Sequence, residues 1–298
     1  MIMLIYMAHK EIIDADWIKA GQIAQRALLY GKGLITKGDD CLSTCLKIEE
    51  FIKNEGGNFA FPPQISFNDT AAHFCPTKQD NPTFKDGDLL KLDVGVEING
   101  AIGDNALTVD FGENSELLSA SKKACENAVK IANAGTKVCE IGRVIDETIR
   151  DFGFKPVKNL SGHGLGLYTI HTNPGIPNYD NHDNYVLKEN DTIAIEPFAT
   201  DGDGLIKEKG NPTIFCASTK PRVRTPNARL VASKINTLPF ASHWFSSMSA
   251  TSFALAIKEI NPHRYPPLVE IAGGLVSQHE HTLIVKEKKS IVTTMLND

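Results

Sequence analysis

Four acids and one histidine in this sequence stand where structure alone gives them little to do. Asp93 and Asp104 fall in two apolar stretches, KLDVGVEI and AIGDNALTVD, joined by Asn99-Gly100, the dipeptide most characteristic of a two-residue hairpin turn. A turn centred there sets Asp93 opposite residue 106 and Asp104 opposite residue 95. A bulge is expected to bring the two acids onto one face. Unpaired carboxylates in an apolar ribbon cost on the order of several kcal/mol. The pair is therefore either a set of surface acids near the turn, or a set that something positive compensates.

Three more stretches favour compensation. His163 lies eight residues before His171 in NLSGHGLGLYTIH, where glycines let backbone approach a ligand closely. Glu196 ends the apolar run IAIE, and Glu280 precedes the apolar run HTLIV. Each histidine alone reads as a satisfied core residue. Together, four carboxylates and an imidazole on strand ends form an oxygen-rich metal site. The four acids carry −4, which two divalent cations would neutralise and one would not. Hard carboxylates with one imidazole suit Mn, Fe(II), Co or Zn. Cations paired in this way sit roughly 3.5–4 Å apart and activate a shared water for hydrolysis.

The elements that must position these residues are also legible. Apolar residues recur at helical spacing from Asp14 to about residue 34, with Asp14 or Asp16 as cap, and a second helix is predicted over Leu42–Asn54, ending at Gly56-Gly57. Helical periodicity returns over 115–134 and 139–152, and strands are predicted near Thr192–Ile195 and Leu283–Val285. Between about 204 and 272 prolines cluster and two amphipathic stretches appear, Ala228–Ile235 and Thr251–Ile260, so residues 205–271 are expected to form a helical insertion within a catalytic domain of residues 14–298.

Composition excludes several classes. A net charge of −5 over 298 residues argues against nucleic acid as the main partner, and KPRVR at Lys220–Arg224 reads as a solvated loop. The six cysteines lack metal-finger spacing, although Cys41 and Cys45 share a helix face; they read as small buried side chains in a reducing compartment. The opening MIMLIYMAH has neither a basic flank nor a cleavage site, and no segment is long enough to span a bilayer. A cytoplasmic protein is expected.

The runs FPPQISFNDTAAHFCP, KLDVGVEINGAIGDNA, NLSGHGLGLYTIH, AIEPFAT and SQHEHTLIV, in this order and spacing, resemble the methionine aminopeptidases. The resemblance covers nearly the whole chain from about Asp14, leaving residues 1–13 as an unmatched segment. It implies an α+β, pita-bread (creatinase/aminopeptidase-like) fold and removal of the N-terminal methionine from nascent polypeptides whose second residue is small. The region between Glu196 and Glu280, and the phrase RYPPL containing Tyr265, resemble the type II subfamily. Carried over, Asp93 should chelate one metal, His163 and Glu196 the other, with Asp104 and Glu280 bridging. Glu196 should also handle the proton of the attacking water. His73 and His171 match the family's two non-ligand histidines, expected to position substrate and stabilise the tetrahedral charge, with His73 the target of fumagillin-type epoxides. Phe61 and Ile170 align with residues lining the methionine pocket, with Tyr265 near the substrate cleft; Phe61 is also compatible with plain core packing.

Two departures stand out: Asn105 where Thr is common, and TNPG after His171 where AG is common. The resemblance further implies a monomer, with nascent chains and the ribosome as partners. The closest rival is a prolidase-like X-Pro peptidase, which usually carries an additional N-terminal domain; a non-catalytic, partner- or RNA-binding homologue would have lost ligands that are all present here. The specificity implies that Met1-Ile2 stays intact, whereas a start at Met7 would expose Ala8.

Overall fold

The computed structural model describes the backbone of residues 2–296 and the side chains of residues 14–296. Helix α1 runs from Ile2 to Leu34, so it starts well before the expected Asp14. No Gly or Pro stands among the residues before Asp14 to stop it. Asp14 and Asp16 consequently do not cap the helix but bond sideways from its interior, to Lys286 Nζ at 2.8 Å and to Asn99 Nδ2 at 3.1 Å. Residues 1–13, the segment left unmatched by the resemblance, have side chains outside the described residues. Helix α2, Cys41–Asn54, is capped by Asp40, whose carboxylate accepts the Ser43 N–H at 2.8 Å, a contact worth about 1 kcal/mol. The chain then turns through Gly56 at φ +80°, a conformation glycine adopts without strain.

Strands β1 (Gln64–Phe67) and β2 (Thr70–Ala72) precede the long hairpin of β3 (Leu89–Ile98) and β4 (Ala101–Asp110). Its register pairs Asp93 with Ala106 and Gly95 with Asp104, without interruption. The expected bulge is absent because none is needed. Residues directly opposed share a face, and 93 and 95 have the same parity, so Asp104 already lies on the face of Asp93. The other face, with Leu92, Val94 and Val96, packs into one core with Ile23 and Leu28 of α1 and Ile48 and Ile52 of α2. At Gly103 a Cβ would lie 2.5 Å from the α1 backbone at Ala20 and Gly21, so glycine is what lets the helix lie directly on the hairpin.

A second helix pair, α3 (Ser115–Ile131) and α4 (Val138–Asp151), covers a second sheet. α4 buries Ile141, Ile145 and Ile149, one helical stripe. The sheet contains β5 (Ser161–Gly166), β6 (Thr169–Pro177) and β7 (Thr192–Ile195); β8 (Phe198–Thr200) follows β7 in a neighbouring sheet. In this half the ladder does shift: β5 and β6 slip register between Gly162 and Gly164, on either side of His163, and again before Gly166.

Between β8 and the strand that follows the insertion lie β9 (Ile214–Cys216), α5 (Pro226–Ala232), β10 (Phe240–Ala241), α6 (Ala250–Ile260) and β11 (His263–Tyr265). The three strands form a small sheet, and Phe215, Val231, Phe240, Phe245 and Ile257 form this segment's own core. The strands are two or three residues long, too short for a period-two pattern. Glu270 ties the segment's two connections together, accepting from Asp203 and Gly204 N–H on one side and Ala272 and Gly274 N–H on the other, at 2.6–3.1 Å. β12 (Val276–Gln278) and β13 (His281–Ile284) complete the fold, with β13 beside β7 in the second sheet. The two halves meet in a shared cluster of Trp17, Phe61, Ile102, Leu165, Ile170, Ala194, Leu238 and Ile284.

Candidate metal centre

The seam between the halves opens into a cavity of ≈ 210 Å³, and its walls include Phe61, His73, Asp93, Asp104, His163, Ile170, His171, Glu196, Tyr265 and Glu280. The structure thus gathers every site residue singled out in the sequence around one space. Asp93 and Asp104 come from the first half, on the hairpin face away from the helices. Glu196 follows directly on β7, and Glu280 stands in the link between β12 and β13. His163 comes from β5, paired opposite Ala194 of β7. Strand interiors hold the two aspartates and strand ends the two glutamates, so no flexible loop has to be ordered to bring them together.

Ligand-type atoms of Asp104, His163 and Glu280 all lie within 4.8 Å of one another. His163 Nε2 lies 3.7 Å from Asp104 Oδ2 and 3.5 Å from Glu196 Oε1. Asp93 Oδ1 and Asp104 Oδ1 are enclosed without any hydrogen-bond partner among the described residues, an arrangement costly for a carboxylate unless a cation fills the gap. Burial drives Asp93 up to about 7. Asp104, Glu196 and Glu280 are pushed well above the usual carboxylate range by burial first and then by one another's charge. His163 is lowered to about 3 by burial and then by His171, so it is the neutral imidazole that a metal requires. Four crowded acids, two orphaned oxygens and a neutral imidazole fit divalent cations.

The remaining walls differ in character. The His73 ring stands edge-on to Tyr265 at 5.2 Å between centroids, and its pKa falls to about 4 through burial and the neighbouring His171. His171 is open to the cavity, yet surrounding protein still strips enough water to lower its pKa, with His263 adding to the effect. Phe61 lies on Gly95, where a Cβ would come within 2.2 Å of its ring. Phe61 and Ile170 are nearly enclosed and belong to the cluster that joins the halves, so each both packs the seam and lines the cavity.

Both departures from the family pattern lie off the cavity wall. Asn105 does not reach a ligand carboxylate: adjacent strand residues point to opposite faces, and its amide meets that of Gln25 on α1 at 3.0 Å. The run Thr172–Gly175 lies in β6, with Thr172 opposite Gly164, and does not line the cavity. Other contributors were not visible in the sequence. Thr282 Oγ1 accepts the Asp104 N–H at 2.9 Å and donates to the Asp104 carbonyl at 2.8 Å, joining β4 to β13 at the ligand itself. Gln278 approaches Glu280 Oε2 at 3.5 Å, and Gln64, Leu160, Phe198, Ile214 and Pro239 are among the remaining wall residues. Single polar or apolar residues in short strands carry no spacing signal that would have marked them.

The geometry has counterparts. A family model described as metallopeptidase family M24 matches residues 16–287. The methionine aminopeptidase of Archaeoglobus fulgidus is 42% identical over 281 residues, which cover 93% of this chain and 97% of that one. A crystal structure of the methionine aminopeptidase from Thermotoga maritima shares the fold at a TM-score of 0.72, with 23% identity over 95% of this chain and 96% of that one. A prolidase from Pyrococcus furiosus shares it at 0.61, with 20% identity over 95% of this chain but 64% of the prolidase.

Proposed function

The chain belongs to metallopeptidase family M24, and on that premise we infer that it is a type II methionine aminopeptidase, a metal-dependent exopeptidase that removes the N-terminal methionine from nascent polypeptides. The observation that carries this reading is the convergence of Asp93, Asp104, His163, Glu196 and Glu280 on one cavity that Phe61 and Ile170 also line. The prolidase-like and non-catalytic alternatives are not favoured, because a relative 42% identical over 97% of its own length carries the aminopeptidase name and all five ligand positions are filled.

Two divalent cations of the Co, Mn, Fe(II) or Zn type would be held by this set, Asp93 on one, His163 and Glu196 on the other, and Asp104 and Glu280 shared. When bound, they supply Lewis acidity that polarises the scissile carbonyl and lowers the pKa of water. The protein's own groups do the rest. Glu196 takes the proton of the attacking water and passes it on to the leaving amine. His73 and His171, kept neutral by their surroundings, offer N–H donors to the oxygen that gains charge as the carbonyl becomes tetrahedral. Phe61 and Ile170 receive the flexible, apolar methionine side chain, and Tyr265 borders the cleft. Crowding by ligands and histidines restricts the next residue to small side chains.

On this reading the substrates are N-termini of new chains, and the enzyme acts as a cytoplasmic monomer that meets them at the ribosome. Among the described residues no helix is long and apolar enough to cross a membrane. The test is turnover of Met-Ala-Ser against Ala-Pro peptides after chelation and re-addition of single metals. Cleavage of Met-Ala-Ser restored by metal supports the reading. Preference for Ala-Pro, or full activity in chelator, defeats it.

A further inference from the structure

Gln64 lines the catalytic cavity yet is neither among the ligands nor on the methionine-pocket wall. It stands directly opposite Asp93 in the β1–β3 pairing, so the two side chains share the cavity face. The side chain is 6 % exposed, and its Oε1 accepts the backbone N–H of His73 at 2.8 Å. That N–H has no other partner among the described residues: His73 follows the end of β2, and contact with β1 continues only after it, at Phe74, whose carbonyl accepts the Ile65 N–H at 3.2 Å and whose N–H donates to Ser66 Oγ at 3.3 Å.

His73 also has φ +66°, a left-handed conformation that a non-glycine residue holds only when its surroundings impose it. The reverse of the chain at this point turns the imidazole toward the cavity and Tyr265. We propose that Gln64 is a positioning residue for His73: by accepting its N–H, Gln64 clamps the left-handed turn to β1, directly opposite Asp93 in the pairing with β3, and so fixes the imidazole relative to the metal ligands. This assignment rests on the aminopeptidase reading and adds a residue to its machinery.

The argument turns on three points. The acceptor is a side chain, so its loss is not made good by neighbouring strand pairing. It is buried, so water does not readily replace it. It sits at the register position of a ligand, so any shift of the His73 turn is a shift against Asp93. Displacement of a catalytic group by about 1 Å can cost around 10²-fold in rate.

The test compares the metal-loaded wild type with Gln64→Met, which keeps length and removes the acceptor, and Gln64→Glu, which keeps an Oε acceptor. For Gln64→Met, kcat on Met-Ala-Ser is expected to fall by roughly 10–10²-fold with KM and bound metal near wild type. Alkylation of His73 by a fumagillin-type epoxide, read by peptide mass, should slow in parallel. In Gln64→Glu the labelling rate at His73 should recover. Should Gln64→Met not fold, Gln64→Leu carries the same comparison. A wild type that does not cleave Met-Ala-Ser defeats the functional reading. A wild type that does, with a Gln64→Met protein equal to it in kcat and His73 labelling, overturns the Gln64 assignment alone. Equal slowing in Gln64→Met and Gln64→Glu also overturns it, since the acceptor would then be irrelevant.

Discussion

A buried carboxylate without a cation behaves unlike one at the surface, and the ligands here provide the test. Asp93 is held at about 7 by burial, far above the ordinary carboxylate near 3.8. In the metal-free protein that shift means protons stabilise the fold: the contribution is fully present below the unfolded value and is lost as pH rises through about 7. Asp104, Glu196 and Glu280 are shifted in the same direction. Bound cations replace those protons, so the gain in melting temperature on adding Mn(II) should be small at about pH 6 and larger at about pH 8. Differential scanning fluorimetry with and without the metal measures it, and an equal gain at both pH values would contradict the ligand assignment. Asp104→Asn and Glu280→Gln remove a shared charge and should abolish turnover by a factor of roughly 10³ or more while leaving far-UV circular dichroism native. His73→Ala should instead retain both metals and lose about 10²–10³ in kcat. Lowered metal content in that variant would move His73 into the ligand set. At this scale the sequence was informative where residue type conflicted with surroundings, as for an acid ending an apolar strand. It was silent for Thr282 and Gln64, whose types are ordinary in strands and whose partners lie far along the chain.

Elements decide how accurately these side chains are held. The β3–β4 hairpin was legible in its turn and its pairing, because Asn99-Gly100 leaves little freedom of register. The bulge expected there occurs instead in β5–β6, where glycine-rich sequence fixes register weakly. Gly162 and Gly164 show why that stretch is glycine-rich: Cβ atoms there would come within 2.3 Å of the Ala194 and Asn173 carbonyls. The N-terminal helix ran past its expected start because acids that resemble caps are equally able to bond sideways from a helix. The hairpin also supplies a sharp test at Gly95, the position opposite Asp104. A Cβ there overlaps the Phe61 ring at 2.2 Å, so Gly95→Ala should drive Phe61 into the cavity or out of the seam. The expected result is a higher KM for methionyl peptides with metal content retained, and a loss of about 1–3 kcal/mol in unfolding free energy from overpacking. An unchanged KM would show that Phe61 serves the core and not the methionine pocket.

The whole molecule has a charge distribution that the net value of −5 conceals. Residues 205–271 contain nine of the 31 Lys and Arg but three of the 36 Asp and Glu, which gives this segment +6 and the remainder −11. All nine basic side chains are exposed. Of the three acids, Glu270 is enclosed by backbone N–H groups and Glu259 is engaged with Arg224 N–H and Thr225, so little negative charge offsets them locally. This segment also contributes Ile214, Pro239 and Tyr265 to the cavity wall. On the proposed reading, a negatively charged ribosome surface would attract this segment and repel the acidic remainder. Averaging over the chain cancels two unlike parts, so the net charge alone does not describe the surface of this segment. If ribosomes are a partner, co-sedimentation should be clear at about 50 mM salt and largely lost at about 300 mM, as release of condensed counterions requires. The combined change Lys220→Ser, Arg222→Ser and Arg224→Ser, in an exposed loop away from the ligands, should weaken co-sedimentation several-fold while cleavage of free Met-Ala-Ser is unchanged. Binding that ignores both salt and the triple substitution would show that this charge has no part in docking.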